Sequence, residues 1–303
     1  MHRLMLTDEE TGEILLDRQV DDSAYIDINI QSEKQKQFLR SKNRMENMES
    51  DLGGFYMLYY NEKLFDGLIS DKHIAKVIYL ATFVEYDTNR LVFPQAGRKA
   101  VPFTEQDVKT VLGLTNRTTY AEFKKEIIDS GIMLITDDGI YMSKQYFNKG
   151  TEKGNQYYFV KMYIDTIRQL YRQTSTRQHK TLGHLFKLIP YVDYRYNIIT
   201  KTPNDPELAV ENRLTKEQVA QLLEMDLEAY KKVENQLLKL KIDFRGKTYC
   251  LIGHVTLKTV DVDNNIVLKN HYVVNPLIYS SINNYEALNE VCNSLWFRML
   301  KCN

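Results

Sequence analysis

Phe103-Thr104-Glu105-Gln106-Asp107-Val108-Lys109-Thr110-Val111-Leu112 and Leu214-Thr215-Lys216-Glu217-Gln218-Val219-Ala220-Gln221-Leu222-Leu223 carry one pattern twice. Thr104 lies over Thr215 and Leu112 over Leu223 at a constant offset of 111 (215 − 104). Beyond them the offset drops to 110 (230 − 120), and Tyr120, Phe123, Ile127, Ile128 and Ile132 fall on Tyr230, Val233, Leu237, Leu238 and Ile242. Upstream, at 105 (185 − 80), Leu80, Phe83, Val84, Tyr86 and Arg90 fall on Leu185, Leu188, Ile189, Tyr191 and Arg195. The offset slips only where a turn or loop would sit, which is how duplicated segments drift. An internal repeat sets the fold before any other signal. The chain therefore reads as two copies of one unit, each a helix-turn-helix followed by a β-hairpin.

Around this repeat the chain divides into residues 1–50, 51–150, 156–281 and 282–303. In the first part Leu4–Leu6 and Ile14–Leu16 flank a Gly-containing turn and predict a small hairpin. Ala24–Ile30 alternates like a strand, and the polar Ser32–Ser50 reads as a linker or exposed helix. The first unit opens on Leu52–Tyr60, with helices expected over Glu62–Leu68 and Asp71–Glu85 and a short strand at Leu91–Phe93. Thr104 is placed to cap the next helix. The helix after it spans Thr118–Ser130 and stops at Gly131, followed by the hairpin Met133–Met142.

Asn148–Asn155, polar and containing glycine, is the expected boundary. In the second unit the pattern predicts helices over Phe159–Arg172 and Arg177–Ile189 and a strand at Ile198–Ile199. A loop follows over Thr200–Arg213. A capping box, Thr215 with Gln218, opens the next helix, and another helix covers Leu227–Lys241. A much longer hairpin is read from Lys247–His254, then Val255–Val260, an Asp263-Asn264-Asn265 turn and Ile266–Val274. Tyr285–Lys301 has helical apolar spacing and predicts an amphipathic tail helix. The fold class is α+β: two tandem winged-helix domains, a small N-terminal β-hairpin region and a C-terminal helix.

The totals exclude several classes. No stretch of ~18 apolar residues would cross a membrane, and the start turns acidic too early for a signal peptide. Cys250, Cys292 and Cys302 form no metal-ligand spacing and suit a reducing cytoplasm. Net charge is zero, 40 basic against 40 acidic residues, so the sum does not mark a nucleic-acid binder. The distribution is uneven: residues 1–30 carry 2 − 8 = −6 and residues 156–201 carry 8 − 2 = +6. Solvated helix faces explain such runs as readily as binding surfaces.

A winged helix reads DNA by placing the second helix of its turn in the major groove while the hairpin reaches backbone or minor groove. The outward face of that helix supplies the candidates. In the first copy these are Asn116, Arg117, Thr118, Thr119, Lys124 and Lys125. In the second they are Glu228, Lys231, Lys232, Asn235, Gln236 and Lys239, with Arg245 and Lys247 entering the wing. Asn and Gln pair with adenine, Arg and Lys with guanine, and Thr or Lys with phosphate. About three or four cations per unit give only weak binding through counterion release, so a dimer is expected if duplex DNA is the partner. Winged helices also serve as protein-docking modules, which neutral charge favours.

Catalysis is not expected. The histidines never form the His-x-His pair of rolling-circle nucleases, and His179 and His184 are wrongly spaced for one helix face. Tyr120 and Tyr230 occupy equivalent repeat positions and read as packing residues. Gly53-Gly54 lacks the Gly-Lys-Ser/Thr of a phosphate loop. No metal or cofactor is implied.

Gly53-Gly54-Phe55, the acidic Thr11-Gly12-Glu13 hairpin, Tyr141–Phe147 after the first wing and Asn275-Pro276 after the second resemble the winged-helix replication initiators of Gram-positive plasmids and phages. The resemblance covers Leu52–Gly150 best and Tyr157–Ser281 less well. Those proteins typically carry one such unit; here there are two, with wings of very different length, a plan that looks like other, two-winged-helix plasmid initiators. The resemblance implies a cytoplasmic DNA-binding protein of a mobile element that recognises origin-like repeats and recruits host replication proteins. A transcriptional regulator of the same element and an adaptor docking on a host enzyme stand as alternatives.

Overall fold

The computed structural model describes residues 2–7, 14–20, 50–95, 99–150, 158–193, 196–209, 211–260 and 266–280. The expected strand at Ala24–Ile30, nearly all of the Ser32–Ser50 segment and the tail helix at Tyr285–Lys301 lie outside these residues. The chain divides into two compact units, Met1–Arg40 and Ser41–Asn303. In the smaller unit β1 (His2–Thr7) pairs antiparallel with β2 (Ile14–Val20), with a register irregularity between Leu6 and Thr7. The larger unit is mixed α+β. Among the described residues no helix is long and apolar enough to cross a membrane.

A four-stranded antiparallel sheet organises the larger unit. Its middle strands are β3 (Phe55–Tyr60) and β9 (Tyr158–Tyr163); its edges are β8 (Phe147–Asn148) and β14 (Tyr279–Ser280), in the order β14-β9-β3-β8. Met57 and Leu58 pair with Asn148 and Phe147 on one side, as Lys161 and Met162 pair with Ser280 and Tyr279 on the other. Met57 and Lys161 also pair with each other. The repeat is thus closed into one body about a pseudo-two-fold axis through that pair. The expected boundary at Asn148–Asn155 connects two strands of the same sheet, and the two halves share a continuous apolar core.

From the sheet the two halves run through a similar order, the second with an added helix directly after its strand and an added helical turn. In the first, α1 (Asp71–Ala81) precedes β4 (Val92–Phe93) and β5 (Val101–Pro102). Then come α2 (Glu105–Leu112), α3 (Arg117–Asp129) and the hairpin β6 (Met133–Thr136)/β7 (Gly139–Met142). In the second, α4 (Ile164–Gln173) and α5 (Gln178–Lys187) lead through a bridge at Ile198–Ile199 and the single turn α6 (Pro206–Ala209). Then come α7 (Lys216–Leu222), α8 (Leu227–Leu237) and the hairpin β10 (Lys241–Phe244)/β11 (Lys247–Cys250).

Several elements depart from the sequence expectation. Phe159–Arg172 is not one helix: Tyr158–Tyr163 is β-strand because its aromatic and apolar side chains find a partner in β3, and α4 starts only at Ile164. Glu62–Leu68 holds one 3-10 turn, Leu64–Gly67, in which Phe65 and Asp66 take left-handed backbone angles that an α-helix does not allow. The helix from Asp71 ends at Ala81 rather than Glu85; Arg168 donates to the Thr82 carbonyl and hydroxyl and so satisfies groups at its end. The helix expected over Leu227–Lys241 ends at Leu237, and Lys241 begins a strand.

The hairpins of the second half also differ from expectation. Lys247–His254 is not one strand. The counterpart of Met133–Met142 is Lys241–Cys250, also with four-residue strands and a turn at Arg245-Gly246. The Ser143 amide donates to the Ile132 carbonyl as the Leu251 amide donates to Leu240. The long hairpin, β12 (Ile252–Val260) with β13 (Ile266–Val274), is a separate insertion in the second half. After it the Asn275 side chain accepts from the Leu277 amide and donates to the Cys250 carbonyl, which turns the chain back into β14.

The upstream repeat register is shifted as well. Bridges Val84–Leu91 and Val192–Ile199 are equivalent, and the buried Asn89 and Asn197 share a positive φ. Each uses its amide on a carbonyl of the returning chain, Phe147 and Val274 respectively. This aligns Phe83 with Tyr191 and Val84 with Val192, three residues beyond the sequence match.

α1 and α5 cross beside the axis, at the smallest side chains available. A Cβ on Gly183 would lie 2.3 Å from the Asp71 carbonyl oxygen and 3.5 Å from Cβ of Ile74. His184, beside it, is buried with Nδ1 3.4 Å from Asp71, whose other oxygen is 2.9 Å from Nζ of Lys187. Burial pushes the His184 imidazole from 6.5 down to about 4; Asp71 pulls it upward, Lys180 and Lys187 downward. Burial likewise lowers His73 and His179.

This crossing can be tested at both residues. Gly183→Ala should destabilise by about 1–3 kcal/mol in denaturant titrations, although alanine is the better helix former, because the clash is with backbone. A histidine whose folded pKa is depressed contributes stability above its unfolded value and loses it as pH falls toward the folded one. Thermal melts should therefore show a loss of about 2–3 kcal/mol from His184 between pH 6.5 and 4. His184→Gln should flatten that part of the profile; parallel profiles for the two proteins would refute the assignment.

Candidate nucleic-acid interface

α2 and α7 begin on matched capping boxes. The Thr104 hydroxyl accepts from the Asp107 amide while the Asp107 carboxylate accepts from the Thr104 amide, and Thr215 and Gln218 do the same. These caps satisfy first-turn amides that have no partner within the helix. Gly113, with φ 66°, ends α2 in the left-handed conformation. α3 then starts on Asn116 and α8 on Asp226, whose side-chain oxygens accept from the following amides. Tyr120, Phe123 and Ile127 of α3 and Tyr230, Glu234 and Leu237 of α8 are buried, so both helices present their opposite faces to solvent.

The candidate residues divide sharply by what they touch. Asn116 spends its carbonyl on the Thr118 and Thr119 amides. Arg117, Thr118 and Thr119 are exposed in the first turn of α3. Lys124 is not a free outward cation: its ammonium lies 2.6 Å from Glu105 of α2. Lys125 pairs with Asp129. Glu122, on the same exposed side, pairs with Lys72 at 3.2 Å. Beyond its first turn, the solvent face of α3 is therefore close to neutral.

α8 differs. Lys231, Asn235 and Lys239 are exposed and make no side-chain ion pair or hydrogen bond among the described residues. Lys231 and Asn235, four residues apart, share one face of α8, and Lys239 lies in the turn just after the helix ends at Leu237. Lys232 lies 3.7 Å from Glu228, both widely exposed. Gln236 is exposed but already engaged: its carbonyl accepts from the Thr181 hydroxyl of α5 at 2.6 Å. Arg245 pairs with Asp51 from the segment before β3, while Lys247 is exposed without a partner among the described residues.

Two contacts recur across the repeat with their chemistry changed. His73 of α1 meets Glu126 of α3 at 2.9 Å, where Thr181 of α5 meets Gln236 of α8. Burial pushes the Glu126 carboxyl up, but two hydrogen bonds from Ser70 and the contact with His73 outweigh it and hold it below its ordinary range. The second contact is an ion pair with its charges exchanged: Glu105–Lys124 in the first half stands where Lys216–Glu234 stands in the second. Glu234 is also the acceptor for the Tyr272 hydroxyl and lies 3.1 Å from His254 Nε2. Helical spacing singled out none of Lys216, Glu234, His254 and Tyr272; the opposite signs at matched positions 105/216 and 124/234 were the available signal.

Gly53, on which the family resemblance partly rests, has a structural role. Its φ of 75° favours glycine, and a Cβ there would lie 2.3 Å from Cγ of Asp165 at the start of α4. A cleft of about 530 Å³ between the start of α1 and α5 is lined by Leu64, Ile69, Lys72, Lys180, Lys187 and Tyr191 among others, and by none of the candidate residues. Among the described residues no group of three or more His, Cys, Asp or Glu side chains could hold a metal ion. Comparison with family models, with curated proteins and with solved structures gives no match.

The buried and exposed faces of α3 and α8 should respond differently to truncation. Ile127→Ala and Leu237→Ala remove fully buried side chains and should each cost about 2–5 kcal/mol. Lys124→Ala should cost no more than ~1 kcal/mol, because its ion pair with Glu105 is about a third to a half exposed. Chemical denaturation of the three variants checks this; equal shifts would mean the helix faces are misassigned.

Proposed function

We propose that the two halves are winged-helix units fused about an internal two-fold and that the protein binds duplex DNA, with α8 as the principal recognition helix. The observation that carries this reading is the set Lys231, Asn235 and Lys239, exposed and unpaired among the described residues, on α8 and the turn that directly follows it. Lys231 and Lys239 supply cations for phosphates or guanine edges, and Asn235 suits bidentate pairing with adenine. Lys247 on the adjoining hairpin adds a backbone contact. Arg117, Thr118 and Thr119 at the start of α3 give the first half a subsidiary phosphate contact. Glu122 and Asp129 offset the other cations of that helix.

The internal axis bears on stoichiometry. Two-fold readers usually obtain their paired helices from a dimer, whereas here one chain presents α3 and α8 about its own pseudo-axis, so a dimer is not required for a two-part contact. Together with the resemblance to plasmid and phage initiators, this supports origin recognition on a mobile element in the cytoplasm, with host replication proteins as further partners. A promoter site in place of origin repeats would make the protein a regulator of the same element.

Fluorescence anisotropy against a pool of random duplexes at low salt is the direct test. Lys231→Ala, Lys232→Ala and Lys239→Ala should weaken binding more than Glu228→Ala. Removal of one phosphate-facing cation should lower the slope of log affinity against log salt by ~1. Asn235→Ala should relax sequence preference by about 1–3 kcal/mol while leaving that slope in place. Lys124→Ala and Arg245→Ala should change little, because their cations are held close to carboxylates of other segments, Glu105 and Asp51, whereas Lys232 lies 3.7 Å from the widely exposed Glu228. No binding by the wild-type protein even at low salt would sink the DNA reading in favour of a protein-docking adaptor.

A further inference from the structure

Glu234 is 4% exposed, and two structural elements converge on it. Lys216 approaches from α7, and Tyr272 and His254 approach from the base of the long hairpin β12–β13. The His254 and Tyr272 rings lie edge to face, centroids 4.6 Å apart, and Tyr272 packs edge-on against Tyr230 of α8 at 6.4 Å. Burial drives the Glu234 carboxyl toward the neutral form. The hydrogen bonds of Lys216 and Tyr272 and the charges of Lys216 and His254 outweigh burial and hold it ionised. Burial first, then the bond to Glu234, raises the Tyr272 hydroxyl, which therefore stays a donor.

The first half shows what this cluster adds. There the same helix pair is joined by Glu105 and Lys124, half-exposed, with no inserted hairpin beside it. Exchanging the charges puts the carboxylate on α8, where it accepts from the Tyr272 hydroxyl and lies beside the His254 imidazole; a lysine there would meet a hydroxyl and an imidazole but no carboxylate from the hairpin. The sign reversal and the insertion belong together.

We propose that Glu234 is a positioning residue: it latches the base of the long hairpin to α8 and so sets the rotation at which that helix presents its outer face. Glu234 precedes Asn235 directly, and a helix turns as a rigid body, so a rotation that releases the carboxylate displaces Asn235 by the same angle. The functional half of this inference rests on the DNA-binding reading above; the mechanical half does not.

The test uses the full chain with Tyr272→Phe, Glu234→Gln and the double exchange Lys216→Glu/Glu234→Lys, which rebuilds the first half's ion pair without a carboxylate at position 234. Amide hydrogen exchange reads the mechanics. Tyr272→Phe should speed exchange in α8 and at Ile252–His254 together; acceleration confined to the hairpin overturns the latch. With a duplex selected by the wild-type protein from a random pool, Tyr272→Phe and Glu234→Gln should lower the ratio of specific to random affinity about 5- to 100-fold. The salt slope should stay unchanged, since every phosphate-facing cation is retained. The double exchange should remain low; a return to the wild-type ratio would show that the ion pair alone matters and overturn the proposal. If the wild-type protein selects no duplex, the DNA reading fails while hydrogen exchange still decides the latch.

Discussion

The antiparallel pairing of Phe55–Tyr60 with Tyr158–Tyr163 constrains where every other element of the larger unit can go. Because Met57 pairs with Lys161 at the repeat axis, each strand meets its own counterpart, and the remaining edges are closed by equivalent strands, Phe147–Asn148 and Tyr279–Ser280. The helices that follow must then cross each other beside that axis. The crossing is close enough that Gly183 leaves no space for a methyl group against the Asp71 carbonyl. Sheet pairing and helix crossing together merge what would be two small cores into one, so that neither half buries its apolar face alone.

Within that shared frame the two halves have diverged at their polar contacts rather than in their cores. Tyr120, Phe123 and Ile127 keep apolar counterparts in the second half, but Glu105–Lys124 becomes Lys216–Glu234 and His73–Glu126 becomes Thr181–Gln236. The result is an asymmetry of exposed charge. On α3 both lysines meet carboxylates on the protein itself, while Lys231 on α8 and Lys239 just after it form no ion pair among the described residues and only Lys232 lies near a carboxylate, Glu228. A pair of helices built alike is thereby left with different capacities for a polyanion, since only an unneutralised cation releases counterions on binding.

Several elements could be read from residue order because their causes are local. Thr104 with Asp107 and Thr215 with Gln218 cap helices through contacts three residues apart, Gly113 and Gly131 turn the chain out of helices, and Asp137-Asp138-Gly139 closes a hairpin. Tyr158–Tyr163 could not be read this way. Its aromatic and apolar run continues the apolar spacing of α4, and it becomes a strand only because a partner strand from the other half lies alongside. The Arg245-Gly246 hairpin was hidden for a related reason: the strand that follows Cys250 is equally β-prone, so the break between two hairpins lies in their pairing rather than in composition.

The exposed face of a helix was legible from spacing, but which of its residues are free was not. Lys124, Gln236 and Arg245 sit at positions with outward spacing, and each is engaged by a group distant in sequence: Glu105, Thr181 and Asp51. The sequence by itself determined the paired capping boxes, the two helices that follow each of them in outline, and the apolar register that buries Ile127 and Leu237, since these depend on periodicity and on neighbours within a few residues. Only the tertiary structure decided that the copies share one sheet, that Tyr272 and His254 of the long hairpin meet Glu234, and that Lys124 is paired with Glu105 while Lys231 has no carboxylate partner among the described residues. Those outcomes depend on through-space pairing between segments tens to hundreds of residues apart, which local spacing does not encode.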